Sequence, residues 1–356
     1  MFTITYAIMK RRKFMHNICL GSLALGSLNL TRHNNFNYSN FPYKLSLAQF
    51  SFYKYMISGN YDPFSFAETA YKMGFEGLEY LAFAYKADFF KSNKTKSNFG
   101  LKEIKKIAFE SKKKSDEYGL KNLLIMIDGE GNLANKDRKF NDQSVENHKI
   151  WIDCANEMGC HSVRVNLDSD GEYEDWKNNS IISLNKLCEY SKAFNINVIV
   201  ENHTTFASDG ISYAANADFI IDVLNNVDHE NIGTLPDFGN WCLKFGEGGI
   251  GVSSFSDGQN NSDKIPSYYD NCEKRYDMYE GIKKLLPFAK GVSAKTHGFD
   301  ENGNDVDIDY IKMLEILRDS NYKGFIGVEQ QVLNLDPLIS IEKTKNLIFK
   351  SWNKLL

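Results

Sequence analysis

Eight short apolar runs, each followed by a longer segment of helical periodicity, constrain this chain more than anything else in it. The predicted strands are Leu45–Phe52, Gly77–Ala84, Asn122–Asp128, His161–Leu167, Ile196–His203, Ile232–Phe238, Gly291–Thr296 and Phe325–Gln330. The predicted helices are Pro63–Met73, Leu101–Tyr118, Ser144–Met158 with Ser144 as its cap, Ile181–Phe194, Ala217–Asn225, Tyr279–Ala289, Ile308–Arg318 and Ser340–Leu355. Strand-then-helix alternation predicts a parallel sheet, because parallel neighbours need a crossover between them. Eight such units in about 310 residues predict an α/β fold closed as a (β/α)8 TIM barrel. An open doubly wound sheet would need a Gly-rich phosphate turn after its first strand, and Leu45–Tyr53 has none. Gly74, Gly119 and Gly159 stand where helices should stop before the next strand.

Several of these strands run apolar and then end in polar residues. Ile196-Asn-Val-Ile-Val-Glu-Asn-His203 is the clearest, and Gly233-Thr-Leu-Pro-Asp237, Gly291-Val-Ser-Ala-Lys-Thr-His297 and Gly324-Phe-Ile-Gly-Val-Glu329 share its form. In parallel α/β folds chemistry collects at the carboxyl ends of the strands. Glu201, Asp237 and Glu329 fall at similar depth. Three carboxylates at one depth repel unless a cation or shared protons neutralise them, and a divalent metal is the simplest solution. Hard oxygen donors with at most one imidazole suit Mn²⁺, Mg²⁺, Co²⁺ or Zn²⁺. Ser293, Lys295 and His297 share one side of their strand, as do Ser162, Arg164 and Asn166 of theirs.

Composition bounds the rest. The 356 residues are 42% hydrophobic and 25% charged, enough for a full core. Lys+Arg 42 against Asp+Glu 46, without a block of like charge, argues against a nucleic-acid partner. No pair of the six cysteines is spaced as CxxC, so they are expected to be small buried hydrophobes. Lys10-Arg-Arg-Lys-Phe-Met15 followed by the short apolar run Ile18–Leu28 reads as an export signal of twin-arginine type. The expected organisation is leader and polar spacer over 1–40, then a barrel over 41–356. The mature protein would have no integral membrane segment and would be periplasmic, or cytoplasmic if the leader is silent. Residues 243–277 lack periodicity and are read as a lid, with Phe255, Tyr268, Tyr269 and Tyr276 as covering aromatics. His148 and His229 are read as surface residues.

From Leu45 to Trp352 the chain resembles the xylose isomerase-like sugar phosphate isomerase/epimerase group of TIM barrels. The segments that carry the resemblance are Leu45-Ser-Leu-Ala-Gln-Phe-Ser51, Gly74-Phe-Glu-Gly-Leu-Glu-Tyr80, Gly159-Cys-His-Ser-Val-Arg-Val-Asn166, Val200-Glu-Asn-His203, Gly233-Thr-Leu-Pro-Asp-Phe-Gly-Asn240, Ser293-Ala-Lys-Thr296 and Gly327-Val-Glu329. The resemblance implies a divalent metal on Glu201, Asp237, a seventh-strand histidine and Glu329. It aligns Ser293 with that histidine, which leaves His297 as the candidate fourth ligand. It also implies Glu201 and Glu329 as the acid/base pair, with Lys295 as a proton donor or oxyanion stabiliser, in an isomerase or epimerase working through a metal-stabilised enediolate. Arg164, Asn166, Asn202, His203, Glu79 and Trp241 are the expected substrate contacts. The expected partner is a small carbohydrate, unphosphorylated because the chain has seven arginines and no evident phosphate pocket; a homo-oligomer is left open. Two alternatives share the fold: a lyase or dehydratase on a keto-sugar or inosose, and a non-catalytic sugar-binding barrel with a degenerate metal site.

Overall fold

The computed structural model describes residues 40–86, 101–205, 207–246, 267–332 and 334–356. The expected export signal and Phe255 lie outside them. Eight parallel strands carry the architecture: β1 Lys44–Ala48, β2 Gly77–Leu81, β3 Lys121–Ile127, β4 Ser162–Val165, β5 Asn197–Glu201, β6 Ile232–Leu235, β9 Val292–Thr296 and β10 Phe325–Gln330. They pair in the order β6-β5-β4-β3-β2-β1-β10-β9. The two ends meet. Phe238 N–H donates to Ser293 O, Ser293 N–H to Pro236 O and Lys290 N–H to Thr234 O, which closes the barrel. The expected (β/α)8 barrel is therefore present.

Alternation along each strand sorts the side chains. Leu47, Leu78, Tyr80, Ile125, Val163, Val198, Val200, Ala294, Ile326 and Val328 are buried against the helices, each such burial contributing about 1.5–3 kcal/mol for a full-sized aliphatic. The other face points inward, and register aligns it. Ser46 pairs with Gly327 and Gly327 with Ser293; one layer higher Glu329 pairs with Lys295. Arg164 is opposite Ile199, one layer below Glu201.

The helices over the described residues are α1 Tyr53–Ile57, α2 Phe66–Lys72, α3 Leu101–Glu117, α4 Arg138–Met158, α5 Tyr173–Lys192, α6 Ala217–Leu224, α7 Met278–Leu285, α8 Tyr310–Asp319 and α9 Pro337–Asn353. Gly74, Gly119 and Gly159 take positive φ, as expected of helix stops. The starts depart from expectation because acidic caps outcompete the serine. Asp137 accepts from Lys139 N–H and opens α4 at Arg138, seven residues before the expected cap Ser144, which instead donates back to Phe140 O inside the helix. Asp336 opens α9 in the same way, ahead of the expected Ser340, whereas α8 is opened by Asp309, an aspartate the sequence already places near that start. No helix among the described residues is long and apolar enough to cross a membrane.

Three further expectations are corrected. The stretch after β6 is not structureless: β7 Cys242–Phe245 and β8 Cys272–Arg275 form an antiparallel hairpin. Cys242 and Cys272 are joined as a disulfide, whereas Cys154, Cys160 and Cys188 are buried thiols. The pairing arises from strands that contact only after folding, so cysteine spacing did not show it. His148 is not at the surface. It is buried on the inner face of α4 with Nδ1 2.7 Å from Ser144 O, and burial pushes its pKa down to about 4.

Replacing Cys242 and Cys272 by serine should lower stability by about 3–4 kcal/mol from the loop-closure entropy of a 30-residue separation. Urea melts of the oxidised wild type and the double variant check this. His148 carries a depressed folded pKa, so the stability it supports is present above about 6.5 and is lost as pH falls toward about 4. The His148→Gln variant should lack roughly 2.5 kcal/mol of that acid-side loss, read from melts at pH 7 and pH 4.5.

Candidate active site

Glu201 at the end of β5, Asp237 just past β6 and Glu329 on β10 bring carboxylate oxygens within 4.8 Å of one another, and all three residues are buried. They are near because their strands share a barrel and each carries its acid at the same height. Each is engaged by the chain. Asn240 Nδ2 donates to Glu201 Oε1 at 3.1 Å, and Arg164 Nε stands 2.8 Å from Glu201 Oε2. Gly239 N–H donates to Asp237 Oδ1 and Ser293 Oγ to Asp237 Oδ2, at 2.7 and 2.6 Å. Lys295 Nζ is paired with Glu329 Oε1 and lies 3.7 Å from Asp237 Oδ2. Burial raises the pKa of Glu201, with Arg164 opposing and Glu329 adding. Burial likewise raises Asp237 against the opposing charge of Lys295.

A layer deeper, Glu79 accepts from Ser46 Oγ at 2.6 Å. A Cβ at position 327 would fall 2.3 Å from Glu79 Oε1, so only glycine leaves space for this acid. Burial lifts the Glu79 pKa to about 8, with Glu329 and Glu201 adding repulsion, so it is a neutral acid at pH 7.

A second polar pole faces the carboxylates. Arg164 holds Asp128 through both terminal nitrogens, at 2.7 and 3.1 Å, and Asn166 Nδ2 donates to the same carboxylate at 2.7 Å. Burial alone would raise Asp128, but the guanidinium outweighs it and holds the carboxyl low. His203, lowered by burial, feels Asp168, which burial raises. A cavity of about 260 Å³ opens between the poles, lined on its apolar side by Phe50, Tyr53, Phe83 and Tyr268, and on its polar side by Asp128, Arg164, Glu201, His203, Lys295 and Glu329 among others.

The predicted residues divide accordingly. Glu201, Glu329, Lys295, Arg164 and His203 line the cavity; Asp237, Asn166 and Glu79 support those that do. Asn202 is turned to the backbone: it donates to Asp237 O and accepts from Asp237 N–H, which holds the turn carrying that acid. His297, expected as fourth ligand, is not in the carboxylate group. Its Nδ1 faces Asp307 Oδ2 at 3.2 Å and its ring stacks on Tyr268. Trp241, expected to stack on a sugar, is fully buried, donates to Phe238 O and fills the space left by Gly281. Of the expected covering aromatics, Tyr268 reaches the cavity, Tyr269 donates to Gly239 O and Tyr276 donates to Asp218. Asp128 and Asp168 were missed, although both stand at or just beyond polar strand ends and the same rule would have found them.

The donor set fits a hard divalent ion. Three buried carboxylates converge, oxygen donors only, with the Ser293 hydroxyl where the resemblance puts an imidazole. Removing Arg164 would leave Asp128 and Glu201 uncompensated. The Arg164→Met variant should lose about 3–5 kcal/mol of stability. Arg164→Lys should recover only part of it, because an ammonium cannot hold Asp128 bidentately while reaching Glu201. Denaturant melts of the three proteins decide.

The family described as xylose isomerase-like TIM barrel matches residues 67–345. No curated protein matches the sequence. Among solved structures, a D-tagatose 3-epimerase-like protein aligns at TM-score 0.58 and 16% identity, over 88% of this chain and 98% of its own. A 3-keto-D-glucoside 4-epimerase from E. coli aligns at TM-score 0.58 and 13% identity, over 86% and 99%. A probable 3-DHS dehydratase from Bacillus anthracis aligns at 0.52 and 14%, over 85% and 98%. At these identities the structural likeness establishes the fold.

Proposed function

The chain belongs to the xylose isomerase-like TIM-barrel family, and from that premise we propose that it is a divalent-metal-dependent isomerase or epimerase of an unphosphorylated sugar or sugar derivative. The observation that carries the reading is the convergence of Glu201, Asp237 and Glu329 at the wall of a small, half-aromatic cavity. Apolar rings opposite a few converging polar groups suit a small polar ligand with C–H faces, such as a monosaccharide.

The reaction class is proton movement beside a carbonyl. Glu201, whose pKa burial brings toward neutrality, takes the α-proton. Arg164 and Asn240 fix the orientation of its carboxylate, so little is lost to reorganisation. Glu329 delivers a proton of its own to the other face or to the neighbouring carbon, and exchange with solvent restores both acids for the next turnover. Lys295 is the nearby donor for the developing oxyanion. His203 and Asp128 offer hydroxyl partners at the far pole, with Asn166 holding the Asp128 carboxylate in place. Glu201, Asp237 and Glu329 would hold a divalent ion, which would supply Lewis-acid stabilisation of negative charge developing on the substrate oxygens.

The Cys242–Cys272 disulfide supports the export reading, because disulfides persist in oxidising compartments. Sugar phosphates are scarce there. Free ketoses and keto-glucosides, the latter a class named for one structural neighbour, are the substrates to try first.

The test is solvent-deuterium incorporation at the carbon beside the carbonyl, followed by NMR over a panel of unphosphorylated ketoses, aldoses and keto-glucosides with Mn²⁺. Exchange with wild type should fall about 10²–10⁴-fold in Glu201→Gln with its melting curve retained. Exchange accompanied by loss of water would favour the dehydratase reading over the epimerase one. Absence of exchange on the whole panel would sink both.

A further inference from the structure

The three carboxylates already have a cation among them. Lys295 Nζ contacts Glu329, stands 3.7 Å from Asp237 Oδ2, and its side chain is 4% exposed. Asp237, Glu329 and Glu201 together hold its charge against the cost of burial. Glu201 is held separately by Arg164 and Asn240. A divalent ion placed on the same oxygens would therefore face an ammonium at contact range, a strong repulsion in a buried site. We propose that Lys295 is a resident counter-cation, lodged where the three carboxylates converge, and that a divalent metal binds there only by displacing its ammonium into the cavity. The inference rests on the reading of Glu201, Asp237 and Glu329 as metal ligands.

Two further features agree with it. The first is the missing imidazole. Ser293 donates its hydroxyl to Asp237 Oδ2, and His297 faces Asp307, so no histidine of β9 competes with the lysine for these acids. The second is room to move. A Cβ at Gly239 would lie 2.8 Å from Lys295 Cγ, so the root of the side chain is closely confined. Beyond that point the lysine lines the 260 Å³ cavity, with the Phe50 ring centroid 5.2 Å from Nζ. Rotation of the outer methylenes carries the ammonium off the carboxylates while leaving it against the Phe50 face, which accepts a cation. The same movement would bring it toward the place where a substrate oxygen would lie. Metal entry and placement of the proton donor are then one event, and the metal is exchangeable rather than permanent.

Mn²⁺ titration calorimetry on metal-stripped wild type and Lys295→Met tests this. Removing the competing charge should tighten binding by about tenfold or more, at one ion per chain. In the wild type, saturating Mn²⁺ should raise acetylation of Lys295 by acetic anhydride severalfold, read by peptide mass spectrometry. The half-buried amines of Lys86 and Lys345 serve as the internal standard. Equal or weaker Mn²⁺ binding by Lys295→Met, no binding by either protein, or unchanged Lys295 labelling at Mn²⁺ saturation would overturn the proposal. If Lys295→Met does not fold, the wild-type labelling decides alone. The two readings fail separately. Tighter binding in Lys295→Met with no deuterium exchange on any sugar leaves this inference standing and removes the function. Exchange with no gain in affinity does the reverse.

Discussion

Compensation of buried negative charge is the constraint on which the rest of this structure depends. Glu79, Glu201, Asp237 and Glu329 share a barrel interior, together with Asp128 at its rim. An ionised carboxylate without a partner does not survive in such surroundings. The chain meets the problem in three ways. Arg164 spans Asp128 and Glu201 with one guanidinium, Lys295 lies between Asp237 and Glu329, and Glu79 stays protonated beneath them. Neutral donors from Ser46, Gly239, Asn240 and Ser293 take up further oxygens. Stability and chemistry are thus the same arrangement, since the groups that make the barrel tolerable to fold also set the proton affinities of the acids facing the cavity.

Strand β9 shows how a period of two divides labour. Ser293, Lys295 and His297 point the same way, and each two-residue step advances roughly 7 Å. Ser293 therefore meets Asp237, Lys295 reaches Glu329, and His297 is carried beyond both to Asp307. Asp307 in turn accepts from the Tyr268 N–H and the Ser267 hydroxyl, and Tyr268 lies flat on His297. The histidine thus anchors the aromatic that precedes β8 and lines the cavity. With the Cys242–Cys272 disulfide and the Tyr269 hydroxyl on Gly239 O, it holds that wall in place.

The barrel and the core of the site were legible in the amino-acid order for a simple reason. Hydrophobic periodicity reports which face of an element is buried, and a polar residue that ends an apolar run has few places to go. Eight runs and their intervening helices fixed a parallel, closed sheet; the acids at the ends of three of them, Glu201, Asp237 and Glu329, follow from local pattern alone. Lys295 and Arg164 were visible on the same logic, as costly charges inside apolar strands.

Long-range partnership was not legible, because pairing between distant residues leaves no local trace. The Cys242–Cys272 bond depends on a hairpin whose strands are far apart in the chain. His148 is buried because α4 turns that side inward after Asp137, not Ser144, begins it. Trp241 fills the space that Gly281 leaves on another element, and His297 is directed by Asp307 from a later loop. The sequence by itself determined the alternation, the barrel and the height of each acid along its strand. Only the tertiary structure decided which cation faces which acid, since that depends on distances across the barrel that no single strand encodes.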